Sequence, residues 1–595
     1  MGIFYWFKIK LNITEIIVGG WLTGLVILTL VIFWLSFLLS FSKVMIWLTV
    51  VLSFGVGIWK LPVKKLLRQK FKWSWKSGGL LVFWLSLFLI IWKQALVKET
   101  DGWYSGCGNC FGDWAAHLAY TTSFAFGDNF PPQLPILAHT KFSYPFLVDF
   151  LSAILIKMGA NLVSAIVVPG FILSLLLVMG LYLFGKRVSG KVKVGWLTSL
   201  IFLFNGGLGF WWWRQGNPPM DYTHLGEKQI FWINTIISKV MPQRGFLWGF
   251  AVAIVIYLLL WKAMKKRQKE HLMLAGMLTA GLVMIHMHSF LVIVLVTVIL
   301  MIMKVIEAKN KFGELKKWLW FFMPMVFLGL PQVGYFYNLS VGRKFLTWQP
   351  GWMAGSENVI WFWFKNVGLA WLVIIAAFKG LNKKLKLFSI PFWLVFILAN
   401  LWLFQPYDWD NSKLFDHWYL IMAVMMAMVI NRLFEKKNWL VKIVGVMGLI
   451  GIVLSGTLDV FKMTQYDKHK YRFWDQRQLK LAEWVKDNTK NRAVFLTNSN
   501  HNNWVASLAG RKIVLGYRGW LWTYGLNYQE QEIEVEKMFA AKDEVKKLLD
   551  KYQIDYVVIG PEERAEFKEL NQEYFDNKYN LVLADRKTRI YKITE

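Results

Sequence analysis

Long apolar runs separated by short basic linkers fill most of the chain, and beyond about residue 475 the pattern changes to the mixed helix and strand periodicity of a water-soluble domain. The apolar runs fall near 16–39, 44–60, 78–97, 162–185, 194–212, 245–261, 271–286, 289–306, 317–334, 364–378, 387–404, 417–431 and 439–457. A helix needs about 20 apolar residues to cross hydrocarbon. The pattern therefore predicts about thirteen transmembrane helices within residues 1–464, several of them short for the task. Further on, RQLKLAEWVKDNT and EVEKMFAAKDEVKKLLDKY read as helices, AVFLTN, KIVLGY and YVVIG as strands, and LVLAD with RIYKI as a closing hairpin. The expected fold class is a polytopic α-helical membrane protein (1–464) followed by a soluble α/β domain (465–595) large enough to bury its own core.

Composition agrees with that division. Of 595 residues 56% are hydrophobic and only 18% charged, which excludes an ordinary soluble enzyme. The net charge of +31 would suit a nucleic-acid binder, but residues 465–595 are nearly balanced, so the excess lies on the membrane part. It collects in linkers: Lys60, Lys64, Lys65, Arg68, Lys70, Lys72 and Lys76; Lys186, Arg187, Lys191 and Lys193; Lys262, Lys265, Lys266, Arg267 and Lys269; and the stretches 304–317, 379–386 and 432–438. By the positive-inside rule these face the cytoplasm. With thirteen spans the N-terminus is then cytoplasmic and the C-terminal domain lies outside the cytoplasmic membrane. The first apolar run is too long, and lacks the small-residue site, for a cleaved signal peptide.

The same alternation puts every Asp of the membrane part on the outer side: Asp101, Asp113, Asp128, Asp149, Asp221, Asp408, Asp410, Asp416 and Asp459. Orientation alone does not require this, because acids contribute little to it. Either outer chemistry uses carboxylates, or longer outer loops sample more Asp.

The longest outer loop, 98–161, mixes Trp, Tyr and Phe with Asp and His, and a structureless stretch of that length is usually functional. If Trp114 to Phe124 is helical, Asp113 is its N-cap and His117 lies one turn above. A carboxylate beside an imidazole suits a general base with its support, or a divalent-ion site; an N-cap with no further role is the plainer reading. Cys107 and Cys110, the only cysteines, face an oxidising compartment and suit a local disulfide; zinc held by Cys107, Cys110, Asp113 and His117 is the alternative the spacing leaves open.

Other outer segments add polar groups. Arg244 stands at the mouth of a helix, where a guanidinium either holds a lipid phosphate or snorkels. His286 and His288 flank a turn in the apolar run VMIHMHSFL, as a site or as satisfied interfacial histidines. Residues 335–363 carry Arg343, Lys344 and Glu357 without a readable pattern. QPYDWDNSKLFDHWYLI sets Asp408, Asp410, Asn411, Lys413, Asp416 and His417 at a membrane boundary, where Lys413 would neutralise a phosphate while Asp410 or Asp416 accepts a sugar hydroxyl. In the soluble end, LGYRGWLWTYGLNY suits a loop that lies against the membrane domain or grips a sugar, and Asp555 reads as a turn residue. There is no G-x-G-x-x-G, P-loop, G-x-S-x-G or H-E-x-x-H in that domain.

FGDWAAHLAY followed by FSYPFLVDFL, the HMHSF turn, WDNSKLF before a late span, and the terminal AGRKIVLGYRGWLWTYGLNY with KYQIDYVVIGPEER together resemble bacterial and archaeal members of the GT-C superfamily of integral-membrane glycosyltransferases, over nearly the whole chain. The resemblance implies a GT-C-like fold, a polyprenyl-phosphate sugar donor, and an acid on the first outer loop that binds a divalent cation (Mg or Mn) or acts as base. Asp113 matches that acid by position, although Trp114 follows it where the best-known members have an adjacent acidic pair. The resulting expectation is inverting sugar transfer on the outer face of the membrane to a saccharide, lipid or protein acceptor. Asp113 would be the base and His117 its helper, Lys413 and Arg244 would hold the donor phosphate, and Asp410, His288 and Asp416 would contact substrate. A transporter or lipid-linked-saccharide flippase, which would place charge at mid-helix rather than at one face, and a non-catalytic membrane scaffold are the rival readings.

Overall fold

The computed structural model describes residues 1–9, 11–59, 61, 75–215, 221–264, 269–337, 345–378, 380–542 and 544–593. Seven described helices are long and apolar enough to cross a membrane: Ile13–Leu38, Leu162–Ser189, Arg244–Ala263, Met287–Glu307, Lys383–Leu401, Asp408–Glu435 and Trp439–Met463. The pair Val359–Val367 and Ala370–Phe378 adds an eighth if the two are one span bent by 99°, and Gly368 at φ 67° lies at the break. All thirteen apolar runs contain helix, so the difference from the expected count is one of length. Lys43–Trp59, Ser77–Lys93 and Val192–Leu203 are shorter apolar helices; Lys269–Gly281 passes into a 3-10 turn, and Lys311–Tyr337 contains Pro324 and Pro331. The outer faces of these helices carry Leu52, Phe54, Leu89, Phe327, Leu372 and Met447 in exposed positions. Apolar side chains set outward on helix after helix belong against lipid, and the chain is a multi-pass membrane protein. Of the basic linkers, Lys60, Lys64, Lys65, Arg68, Lys70, Lys72, Lys265, Lys266 and Arg267 lie outside the described residues, as do Arg343 and Lys344.

Five helices position the candidate site: α1 (Phe111–Ala125), α2 (Leu147–Lys157), α3 (Arg244–Ala263), α4 (Met287–Glu307) and α5 (Ser412–Glu435). Nearly all of α3 is buried, as is α5 through its first four turns, so these two form the centre of the bundle. The outer loop 98–161 is not structureless. It begins with a hairpin of β1 (Val97–Glu99) and β2 (Gly102–Ser105), and β2 pairs antiparallel with β3 (Tyr471–Asp475), the first strand beyond the last span. The loop then folds into α1 and α2.

The C-terminal domain is a five-stranded sheet in the order β5 (Lys512–Ile513), β4 (Val494–Leu496), β6 (Tyr556–Ile559), β8 (Arg589–Lys592), β7 (Asn580–Ala584). The first three strands are parallel and the last two antiparallel. The helix expected over 534–552 is two, Gln529–Phe539 and Val545–Lys551, broken where Ala541 and Glu544 take positive φ. The outer loop covers the β5 edge: Ile513 N–H donates to Pro135 O (2.9 Å), Ala138 N–H to Ile513 O (3.1 Å) and Gly516 N–H to Ile136 O (2.8 Å). A covered edge cannot recruit another strand.

The backbone of the domain comes close to α1 at Gly510, where φ is +68° and a Cβ would stand 2.4 Å from Thr122 O. Gly510→Ala combines left-handed strain with that clash and is expected to cost at least about 1–2 kcal/mol. Thermal unfolding of the detergent-solubilised chain measures it, and an unchanged Tm would show that the approach is not tight.

Candidate active site

Helix α1 starts two residues before Asp113, so Asp113 is in the first turn and not the N-cap; the residue at that place is Cys110, whose side chain caps nothing. A carboxylate in the first turn still meets the positive end of the helix dipole. Cys107 and Cys110 are joined in a disulfide that leads into this turn. With both sulfurs so used, zinc would keep only Asp113 and His117 of its four expected ligands.

The imidazole of His117 is paired not with Asp113 but with Asp149 on α2, its Nδ1 lying 2.9 Å from Oδ2. Arg244, the first residue of α3, donates from one guanidinium nitrogen to Asp149 Oδ1 (2.6 Å) and from another to Ser152 Oγ (2.6 Å). All three ionisable side chains are almost wholly buried. Asp149 accepts from the guanidinium at Oδ1 and offers His117 a carboxylate oxygen at Oδ2, so His117 Nδ1 is the donor in that contact. Arg244, expected as a phosphate holder, lines neither cavity described below. Its charge is already matched inside the protein.

Asp113 itself makes no hydrogen bond among the described residues. Removal from bulk water holds its carboxyl above the usual range, the charge of Asp410 adds to that, and His117 and Lys413 pull it partly back. Lys413, at the start of α5, forms an ion pair of 2.8 Å with Asp410 one turn earlier. Asp416 turns the other way: it lies 2.9 Å from Lys239, with neither side chain exposed, behind the Trp409 ring. That pair is part of the wall, so the expectation that Asp416 meets substrate does not match its place.

Two cavities meet at the Asp410–Lys413 pair. The larger, about 490 Å³, is lined by Asp113, His117, Asp410 and Lys413, and by Tyr517, Trp520, Trp522 and Tyr524 of the C-terminal domain. Trp520 donates from its indole to Gly112 O (2.7 Å), and Tyr120 and Tyr524 share a hydroxyl contact of 2.7 Å. These contacts fix the aromatic wall against α1. The smaller cavity, about 300 Å³, is lined by His286, His288, Phe246, Leu291, Phe345 and Phe404, with Tyr144, Gln243, Asp410, Lys413, Thr523 and Tyr524 common to both. Of the residues expected from sequence, Asp113, His117, Asp410, Lys413 and His288 thus converge on one connected space.

No family model matches the chain, and no curated protein matches it. The solved structures similar to it include two. One is the archaeal oligosaccharyltransferase AglB from Archaeoglobus fulgidus in complex with an inhibitory peptide and a dolichol-phosphate: 10% identity, 82% of this chain and 70% of that chain covered, TM-score 0.49. The other is ArnT from Cupriavidus metallidurans bound to undecaprenyl phosphate: 10% identity, 87% and 98% covered, TM-score 0.48. At 10% identity neither assigns a residue.

Among the described residues no group of three His, Cys, Asp or Glu side chains is placed to share an ion, and Asp410, the carboxylate nearest in role to Asp113, is neutralised by Lys413. Sequence reasoning missed Asp149, Tyr144, Gln243 and Tyr524. Asp149 had a signal, a lone acid inside the apolar run FLVDFL, and Tyr524 lies in LGYRGWLWTYGLNY, the segment expected to lie against the membrane domain or grip a sugar; Tyr144 and Gln243 had none.

Arg244→Met removes the guanidinium from the buried Asp149 carboxylate, leaves it only the His117 imidazole, and is expected to destabilise the chain by about 3–5 kcal/mol. Adding Asp149→Asn should recover part of that in the same thermal-unfolding assay. An equal loss in the Asn background would mean that packing, not charge, is the cause.

Proposed function

We propose that the protein is a GT-C-type membrane glycosyltransferase, moving a sugar from a polyprenyl-phosphate donor to an acceptor on the outer face of the cytoplasmic membrane. The observation that carries the reading is the unpartnered carboxylate of Asp113 sharing a cavity with the Lys413–Asp410 pair, where a smaller cavity with Phe246, Leu291, Phe345 and Phe404 in its wall opens beside an aromatic-walled chamber. A lipid-linked donor has that same division. Its tail needs an apolar path, its phosphate a cation, and its sugar a polar chamber with ring faces to lie against.

In this reading the acceptor hydroxyl donates to Asp113, which takes the proton as the oxygen attacks the anomeric carbon. The bond from that carbon to the phosphate oxygen breaks, and Lys413 neutralises the departing phosphate. A single displacement of this kind, with base and leaving group on opposite sides of the sugar, inverts its configuration. His117, oriented by Asp149, supports Asp113 electrostatically. Asp410 orients Lys413 and is placed to accept a sugar hydroxyl.

Protonated Asp113 cannot accept a proton, so the rate should fall as pH drops through its pKa. Because burial raises that pKa, the acid limb of the pH–activity profile is expected above the ordinary Asp value of about 4. Asp113→Asn should lower transfer from a polyprenyl-phosphate sugar by about 10²–10⁴-fold, with membrane insertion and Tm unchanged. Full activity in that variant would sink the assignment.

The proposed orientation, N-terminus in the cytoplasm and residues 465–595 outside, rests on the basic linkers. A cysteine placed on the exposed surface of the C-terminal domain should react with a membrane-impermeant maleimide in intact cells. Protection from the reagent would reverse the topology.

A further inference from the structure

A chain of polar groups runs from the middle of the bundle to the smaller cavity. Tyr257 Oη on α3 lies 2.8 Å from His417 Nδ1 on α5. His417 Nε2 lies 3.1 Å from Ser289 Oγ on α4. Ser289 Oγ lies 2.8 Å from Nδ1 of His286, the N-cap of that helix. All are buried, and the chain links three spans.

One backbone amide fixes the direction of every proton in it. Ser289 N–H donates to His286 Nδ1 at 3.3 Å, so Nδ1 must offer its lone pair, and the neutral ring carries its proton on Nε2. A ring nitrogen without hydrogen cannot donate, so the Ser289 hydroxyl donates to it. Ser289 Oγ then accepts from His417 Nε2–H, and His417 Nδ1 accepts from the Tyr257 hydroxyl. Each group behind His286 is satisfied. His286 Nε2–H is the open end, buried and without a partner among the described residues, on a ring that lines the smaller cavity together with Lys413. Gly249 on α3 permits this seat, since a Cβ there would stand 2.4 Å from His286 Cβ.

A buried donor held in one direction calls for an oxygen acceptor. We propose that His286 is a positioning residue for the lipid donor, its neutral Nε2–H kept toward a phosphate-ester oxygen beside Lys413 by the Tyr257–His417–Ser289 chain. This deepens the glycosyltransferase reading and rests on its polyprenyl-phosphate donor. A neutral donor held in one direction adds a directed hydrogen bond to the charge and the three rotatable donors of Lys413.

The test is titration of the detergent-solubilised full chain with farnesyl phosphate, farnesol and inorganic phosphate. The wild type should bind farnesyl phosphate more tightly than the other two. His286→Asn keeps the helix cap, because Asn accepts from the same amide, but its side chain is too short to replace Nε2; it should bind farnesyl phosphate about 10-fold more weakly at unchanged Tm. His286→Gln, whose amide nitrogen reaches about as far as Nε2, should regain part of the loss despite being the poorer cap. Wild-type affinity in the Asn variant would overturn the role of His286 and leave the donor reading standing. Equal weakness of the Asn and Gln variants would overturn the hydrogen-bond role in favour of ring packing. Inorganic phosphate binding as tightly as the ester would overturn a lipid-borne ligand. A wild type indifferent to the phosphate would overturn the polyprenyl-phosphate reading and this inference with it.

Discussion

The carboxylate of Asp149 is held away from water between a guanidinium and an imidazole, and the geometry of the candidate site hangs on that contact. An isolated carboxylate in such a place would cost several kcal/mol, so α2 can keep Asp149 only where Arg244 at the start of α3 and His117 on α1 both reach it. Three helices from separate parts of the sequence are thereby brought to one point. His117 sits one turn along from Asp113 on the same helix, so the contact that orients the imidazole also sets the position of α1. With α1 go the disulfide turn, the Asp113 carboxylate and the docking surface for the C-terminal domain.

Charge in the surrounding walls follows one rule with one exception. Arg244 meets Asp149, Lys239 meets Asp416 and Lys413 meets Asp410, each pair within hydrogen-bonding distance. Among the described residues lining the two cavities, Asp113 is the carboxylate with neither an ion pair nor a hydrogen bond. Low local polarity makes such a group costly, and a folded chain retains it where a ligand supplies the missing partner. The His286 ring is the neutral counterpart, satisfied on the helix side and open on the cavity side.

The membrane character, the apolar helices, the sheet domain and the candidate cluster around Asp113 and Lys413 were legible in the sequence because each depends on local composition or short spacing. What was not legible depends on distant partners. Arg244 looks like a phosphate ligand until Asp149, 95 residues earlier, is seen to occupy it. Asp416 looks as available as Asp410, and a helix rotation alone sends one to Lys239 and the other to the cavity. The 98–161 stretch reads as loop because its two helices are short and its strands find their partner only at Tyr471–Asp475, beyond the last span. His286 shows the same limit at finer scale, since its role turns on a backbone amide and on His417, 131 positions away.

The shared wall of the two cavities suggests why a soluble domain is clamped to the bundle at all. Tyr144 comes from the outer loop, Gln243 from the turn before α3, Asp410 and Lys413 from the start of α5, and Thr523 and Tyr524 from the C-terminal domain. No one of these segments could hold the junction alone. On the proposed reading, an amphiphilic donor approaches from the apolar side and a polar acceptor from the aromatic side, and both must be at the junction for the attacking oxygen to lie near the anomeric carbon. Bringing the reactants together in one geometry can account for much of a rate enhancement, provided the walls do not move apart. The Tyr120–Tyr524 contact, the Trp520 bond to Gly112 and the tight approach at Gly510 all oppose separation of the domain from α1. The sheet domain therefore acts as the fixed wall against which the membrane helices set the reacting groups, and its own lack of a recognisable catalytic motif follows from that division of work.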